Sequence, residues 1–209
     1  VRLRPRGGSL ALPYKGSLYM PVAHELARRL ASAGLLGDEL HPVIRVRFHL
    51  LDRLAGLDTP IRLPAHVAGA IGEEVVPARR LGESWRDIHS AAAGRLERLA
   101  DEDTREQVQR EAFPELTGKV AELDARRREL AAQPGKPDPE VIRPMSQEIR
   151  RLEDELIART AELIDRDWQL NQLDYWDSRG AILPWCIALG GEAFYDRVLA
   201  EAEVYEESE

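Results

Sequence analysis

Three prolines and a glycine fall within the six residues Pro134, Gly135, Lys136, Pro137, Asp138 and Pro139, and a long helical pattern runs on either side of them. Proline lacks a backbone donor and clashes with the preceding turn, so no helix continues through this hexapeptide. Residues 114–173 therefore read as an antiparallel helical hairpin with its tip at 134–139. In the first arm Leu116, Val120, Leu123 and Leu130 form an apolar seam, with Arg127 where a leucine is expected. In the second arm Asp138 is placed to cap and Pro139 to take the first helical position. Ile142, Met145, Ile149, Leu152, Leu156, Leu163 and Leu170 then follow a three-four rhythm. Toward the base Ile157, Ile164 and Trp168 shift the apolar face sideways, and the expectation is that the base packs on the rest of the chain. By helix rise, an arm over 114–133 projects about 30 Å.

Composition supports an α class. Of the 209 residues 32% are charged and only 6% aromatic, so the core has to be built from Leu, Ile, Val and Ala, as helix packing requires. The expected architecture is mainly α: a compact helical body with a coiled-coil-like hairpin and at most a minor two-stranded β element. The expected division is an N-terminal helical region at 1–83, the hairpin at 84–173, and an aromatic-rich segment at 174–209 that packs back on the body. The single cysteine, Cys186, excludes an internal disulfide and a Cys-based zinc module, and reads as a small buried hydrophobe in a cytoplasmic protein. The net charge of −8 argues against a surface given over to nucleic acid. All but three of the 29 basic residues are arginine, which fits codon usage in a GC-rich genome before it fits phosphate contact. The most apolar run, 181–191, is too short to span a membrane and is interrupted by Pro184. The chain opens on Val1 without a signal-like apolar stretch, as in a fragment or an alternative start.

Along the chain, residues 1–4 and 44–48 alternate apolar residues with arginine as a strand does, but the second run fits equally into a helix over 42–54, the preferred reading. With an amphipathic helix at 21–32 this outlines a helix-turn-helix, in which Arg45 and Arg47 would face DNA; most helix pairs with this outline are simply packed helices. Further helices are expected at 65–76, 84–112 and 192–205, with Asp101, Glu102 and Asp103 solvated and the C-terminal tail frayed. Trp168, Tyr175, Trp176 and Trp185 concentrate aromatic area in one stretch, either as a docking anchor or as a recognition surface.

The chemistry is sparse. His24, His41, His49, His66 and His89 contain no pair at the spacing of a helical metal site, and no serine has the glycine-flanked elbow of a nucleophile. His49 with Asp52, and Asp87 with His89, are imidazole-carboxylate neighbours that become chemical only if a third group arrives from elsewhere. Asp174, Asp177 and Arg179 beside Tyr175 and Trp176 either line a pocket or make a polar turn, and the turn is the favoured reading. The sequence thus points to no catalytic residue, no cofactor and no metal. It suggests a non-catalytic helical subunit of a larger bacterial complex, meeting a protein partner or its own copy. The alternatives are an arginine-based nucleic-acid binder in a DNA-processing or defence assembly, and an enzyme with a site near Asp174, Asp177 and Arg179. The contact residues expected are Arg45, Arg47, Arg127, Lys136, Trp168, Tyr175, Trp176 and Arg179.

Overall fold

The computed structural model describes residues 10–13, 20–36, 43–133, 138–178 and 183–207. The fold is mainly α, with a long helical hairpin and two small sheets. It divides into two units, one formed by 1–87 with 172–209 and the other by 88–171.

In the first unit, strands β1 (Leu10–Pro13) and β2 (Val43–Arg47) pair in parallel across helix α1 (Met20–Ser32), and β5 (Glu203–Glu207) joins β2 antiparallel. The helix expected over 42–54 is therefore a strand followed by a short helix, α2 (Leu50–Arg53). Alternation wins over helical compatibility in Val43, Ile44, Arg45, Val46 and Arg47 because a matching strand arrives from the far end of the chain. Arg45 stands opposite Tyr205 and Arg47 opposite Glu203, and opposite charges across a ladder favour pairing. The same pairing corrects two further expectations. The last helix, α9 (Leu183–Ala200), ends before 205, and Glu206 and Glu207 belong to a strand rather than to a frayed tail. The helix-turn-helix goes with them, since Arg45 and Arg47 lie on a sheet. The expected strand at 1–4, Lys136 and Arg179 lie outside the described residues, as does the side chain of Cys186.

A second ribbon pairs β3 (Pro60–Arg62) with β4 (Val75–Pro77) around helix α3 (Ala65–Ile71). Leu50, Leu51, Leu54, Val67, Val76, Trp85, Leu173 and Val198 are fully buried and make the core of this unit. Helix α4 (Ala78–Ala100) begins here. A Cβ on its Gly82 would come 2.3 Å from the Ala55 backbone nitrogen, so only glycine lets the helix pack directly on the turn Leu54–Gly56. Of the polar turn expected at 177–180, Asp177 and Ser178 lie instead on helix α8 (Leu173–Ser178) and are buried there, and 179–180 lie outside the described residues. Gly191, at φ 70°, kinks α9.

In the second unit the single helix expected over 84–112 is interrupted. Asp101 accepts the Thr104 N–H at 2.9 Å and caps a new helix, α5 (Glu102–Ala112), so this aspartate acts as a cap. Pro114 opens α6 (Pro114–Ala132) at its first turn. Helix α7 (Pro139–Asn171) returns along it, with Asp138 accepting the Glu140 N–H. Leu99, Val108 and Leu163 form a buried cluster with Phe113 packed against it. The buried Asp167 receives a two-pronged ion pair from Arg95, at 2.7 and 2.9 Å. Ile157, Ile164 and Trp168 are exposed. Among the described residues no helix is long and apolar enough to cross a membrane.

Candidate imidazole-carboxylate site

The most concentrated polar chemistry among the described residues lies in the first unit, where β2 meets α2. The strand ends at Arg47, and His49 turns the chain with a left-handed backbone, φ 52° and ψ 45°, before α2 begins. Such a conformation is uncommon outside glycine and costs energy, though histidine tolerates it better than branched residues. It puts the His49 imidazole above the first turn of α2, next to Asp52 one turn on. The third group comes from α8. Asp177, fully buried, brings its Oδ1 to the Leu51 N–H at 2.8 Å and the Asp52 N–H at 3.3 Å, satisfying two of the orphan donors at a helix start.

The remaining atoms of the three side chains face each other. His49 Nδ1 is 3.5 Å from Asp52 Oδ2 and 3.6 Å from Asp177 Oδ2, while His49 Nε2 is 3.0 Å from Glu203 Oε1 on β5. Asp52 Oδ1 accepts the Trp85 indole N–H at 2.9 Å and Arg86 Nε at 3.1 Å, and Arg86 Nη2 donates to Oδ2. Arg47 approaches Asp174 Oδ1 at 3.4 Å and Asp177 Oδ2 at 4.0 Å.

The two aspartates are pushed in opposite directions. Burial raises the pKa of Asp177, the Asp52 carboxylate adds to the rise, and the two backbone N–H groups and His49 offset only part of it. Burial also works against the Asp52 carboxylate, but the hydrogen bonds from Arg86 and Trp85 outweigh it and hold Asp52 below the ordinary carboxylate range. Glu203 is lowered by the Tyr205 hydroxyl first and by His49 second. Neighbouring carboxylates whose environments separate their protonation are common where proton transfer or cation binding takes place.

The fold thus brings together two constellations that are far apart in sequence, His49 with Asp52 and Asp174 with Asp177, and adds Arg47 to them. Glu203 and the Trp85-Arg86 pair were not singled out in the sequence. The alternation in Glu203, Val204, Tyr205 and Glu206 was the available signal for the first, and no spacing rule points to the second. Tyr175 and Trp176 sit on α8 beside the site. Trp176 also forms one wall of a cavity of about 250 Å³, with Leu51, Ile61, Leu63, Val67 and Trp185 among its other walls, and it meets His66 edge-on at 5.9 Å. Arg127 and Trp168 belong to the other unit, where Arg127 pairs with Asp124 at 2.5 Å and Trp168 is exposed.

No family model, curated protein or solved structure matches this chain, and the functional reading rests on the geometry alone.

Proposed function

We propose that the chain is a non-catalytic assembly module which pairs with a second copy of itself through helix α7. The observation that carries this reading is a second apolar seam on that helix. Ile149, Leu152, Leu163 and Leu170 are buried on its inner face. One residue further round, Ile157, Ala161, Ile164 and Trp168 succeed each other at intervals of four, three and four, and all four are exposed. Ile157 is 66% and Trp168 58% exposed. A four-three-four spacing is the one at which a straight helix offers a stripe to another helix. Fully burying such a side chain is worth about 1.5 to 3 kcal/mol.

The spacing reads the same in both directions, which suits an isologous antiparallel pair. In that register Ile157 meets Trp168, and the small Ala161 makes room for Ile164. Glu153 and Asp154 come opposite the end of the helix at Asn171, away from other carboxylates. The net charge of −8 opposes association of two copies, so the pairing is weak at low salt and tightens as salt screens the repulsion. The arginines give less support to nucleic-acid binding, since Arg47 and Arg127 are engaged with Asp174 and Asp124.

Light scattering after size exclusion tests the reading. The wild-type chain is expected to move from monomer toward dimer as concentration rises through the micromolar range, and further at high salt, whereas Trp168→Glu stays monomeric. A wild type that remains monomeric up to about 1 mM, a limit corresponding to roughly 4 kcal/mol of binding, would rule it out.

A further inference from the structure

We propose that His49, Asp52 and Asp177 hold one divalent transition-metal cation of the zinc type. The first reason is distance. The two His49 Nδ1 separations, 3.5 and 3.6 Å, are too long for hydrogen bonds. Two donors that each sit about 2.1 Å from a tetrahedral cation are about 3.4 Å apart, close to what is found here. The His49, Asp52 and Asp177 donor atoms all lie within 4.8 Å of one another.

The second reason is the state of Asp177. Its side chain is fully buried, and Oδ2, which faces His49, accepts no hydrogen bond. Its basic neighbours are the His49 imidazole at 3.6 Å and Arg47 at 4.0 Å. A buried carboxylate oxygen without a donor is costly, and a cation among the three side chains would satisfy it.

The third reason is how the two carboxylates are anchored from behind. Asp52 Oδ1 accepts from Trp85 and Arg86, and Asp177 Oδ1 accepts from two backbone N–H groups, while His49 Nε2 lies 3.0 Å from Glu203 Oε1 without meeting it in a hydrogen bond. Metal-binding carboxylates are oriented in this way. Arg86 donates to the same Asp52 oxygen that faces His49, so the cation shares that oxygen with a guanidinium. One imidazole and two carboxylates suit zinc, manganese or cobalt better than calcium, which takes six to eight oxygens. His49 and Asp52 are partly exposed, at 14% and 29% of their side chains, which gives a cation access from solvent.

The test is calorimetric titration of the chelator-stripped, full chain with Zn²⁺, Mn²⁺ and Mg²⁺, repeated on His49→Asn and Asp177→Asn. Asparagine accepts the left-handed backbone of position 49 and, at 177, keeps an oxygen for the two N–H groups, so both variants are expected to fold. The proposal expects one equivalent of Zn²⁺ or Mn²⁺ per chain, with affinity reduced in either variant by at least the roughly 10- to 100-fold that loss of an outer-shell partner costs. Absence of binding to the wild type would overturn it. So would binding that both variants retain unchanged, because the cation would then lie elsewhere. Neither outcome bears on the pairing through α7, which lies in the other unit.

Discussion

At the scale of single residues the decisive group is Asp177. With its pKa raised, the folded chain holds this proton longer than the unfolded chain, whose aspartates titrate near about pH 3.9. The corresponding stability is complete below that value and is lost as pH rises through the folded pKa. Asparagine imitates the neutral acid and avoids the loss. Metal-free Asp177→Asn is therefore expected to melt at or above the wild-type temperature at pH 7, the difference closing below about pH 4. A lower melting temperature at pH 7 in the presence of chelator would contradict this reading. Such a trade of stability for a charged site is typical of functional groups. The members of this site were visible in the sequence only as two separate fragments, His49 with Asp52 and Asp174 with Asp177. What joins them is a left-handed histidine and the burial of a short helix, and neither leaves a periodic trace.

At the scale of elements, long helices were legible and short ones were not. The hairpin could be read because Pro134, Pro137 and Pro139 interrupt two strongly periodic runs, and because Asp138 and Pro114 are good helix starters. The break at Asp101 was missed because a capping aspartate inside a charged run looks like surface. The strand β2 was missed because its partner β5 lies more than 150 residues away in sequence, and strand pairing over such a distance has no local signal. Within the second unit, the ion pair of Arg95 with the buried Asp167 ties α4 to α7. Replacing Arg95 by methionine removes both of the hydrogen bonds it gives that carboxylate and leaves Arg166 Nε near it, at 3.6 Å, and a loss of about 3 kcal/mol is expected, at the lower end for buried pairs because Arg95 is a third exposed and Arg166 remains. Urea unfolding measures it. A change under about 1 kcal/mol would mean that the pair behaves as a surface bridge.

At the scale of the whole molecule, two features stand apart in separate units: a polar cluster suited to a cation, and a helical arm with an apolar seam open to solvent. The seam is legible in the sequence as a drift of the heptad pattern, from which the reading is that the hairpin base packs on the first domain. Exposure of Ile157, Ile164 and Trp168 is what motivates the proposed pairing between copies. Disulfide trapping tests this most directly. With Cys186→Ser removing the native thiol, Ala161→Cys and Ile164→Cys in one chain place thiols opposite each other across the proposed antiparallel pair, where a disulfide needs a Cβ separation of roughly 3.8 Å. Mild oxidation is expected to give a covalent dimer, and the same two substitutions combined with Trp168→Glu are expected to give monomer. Equal dimer yield with and without Trp168→Glu, or no dimer in either, would contradict pairing through α7.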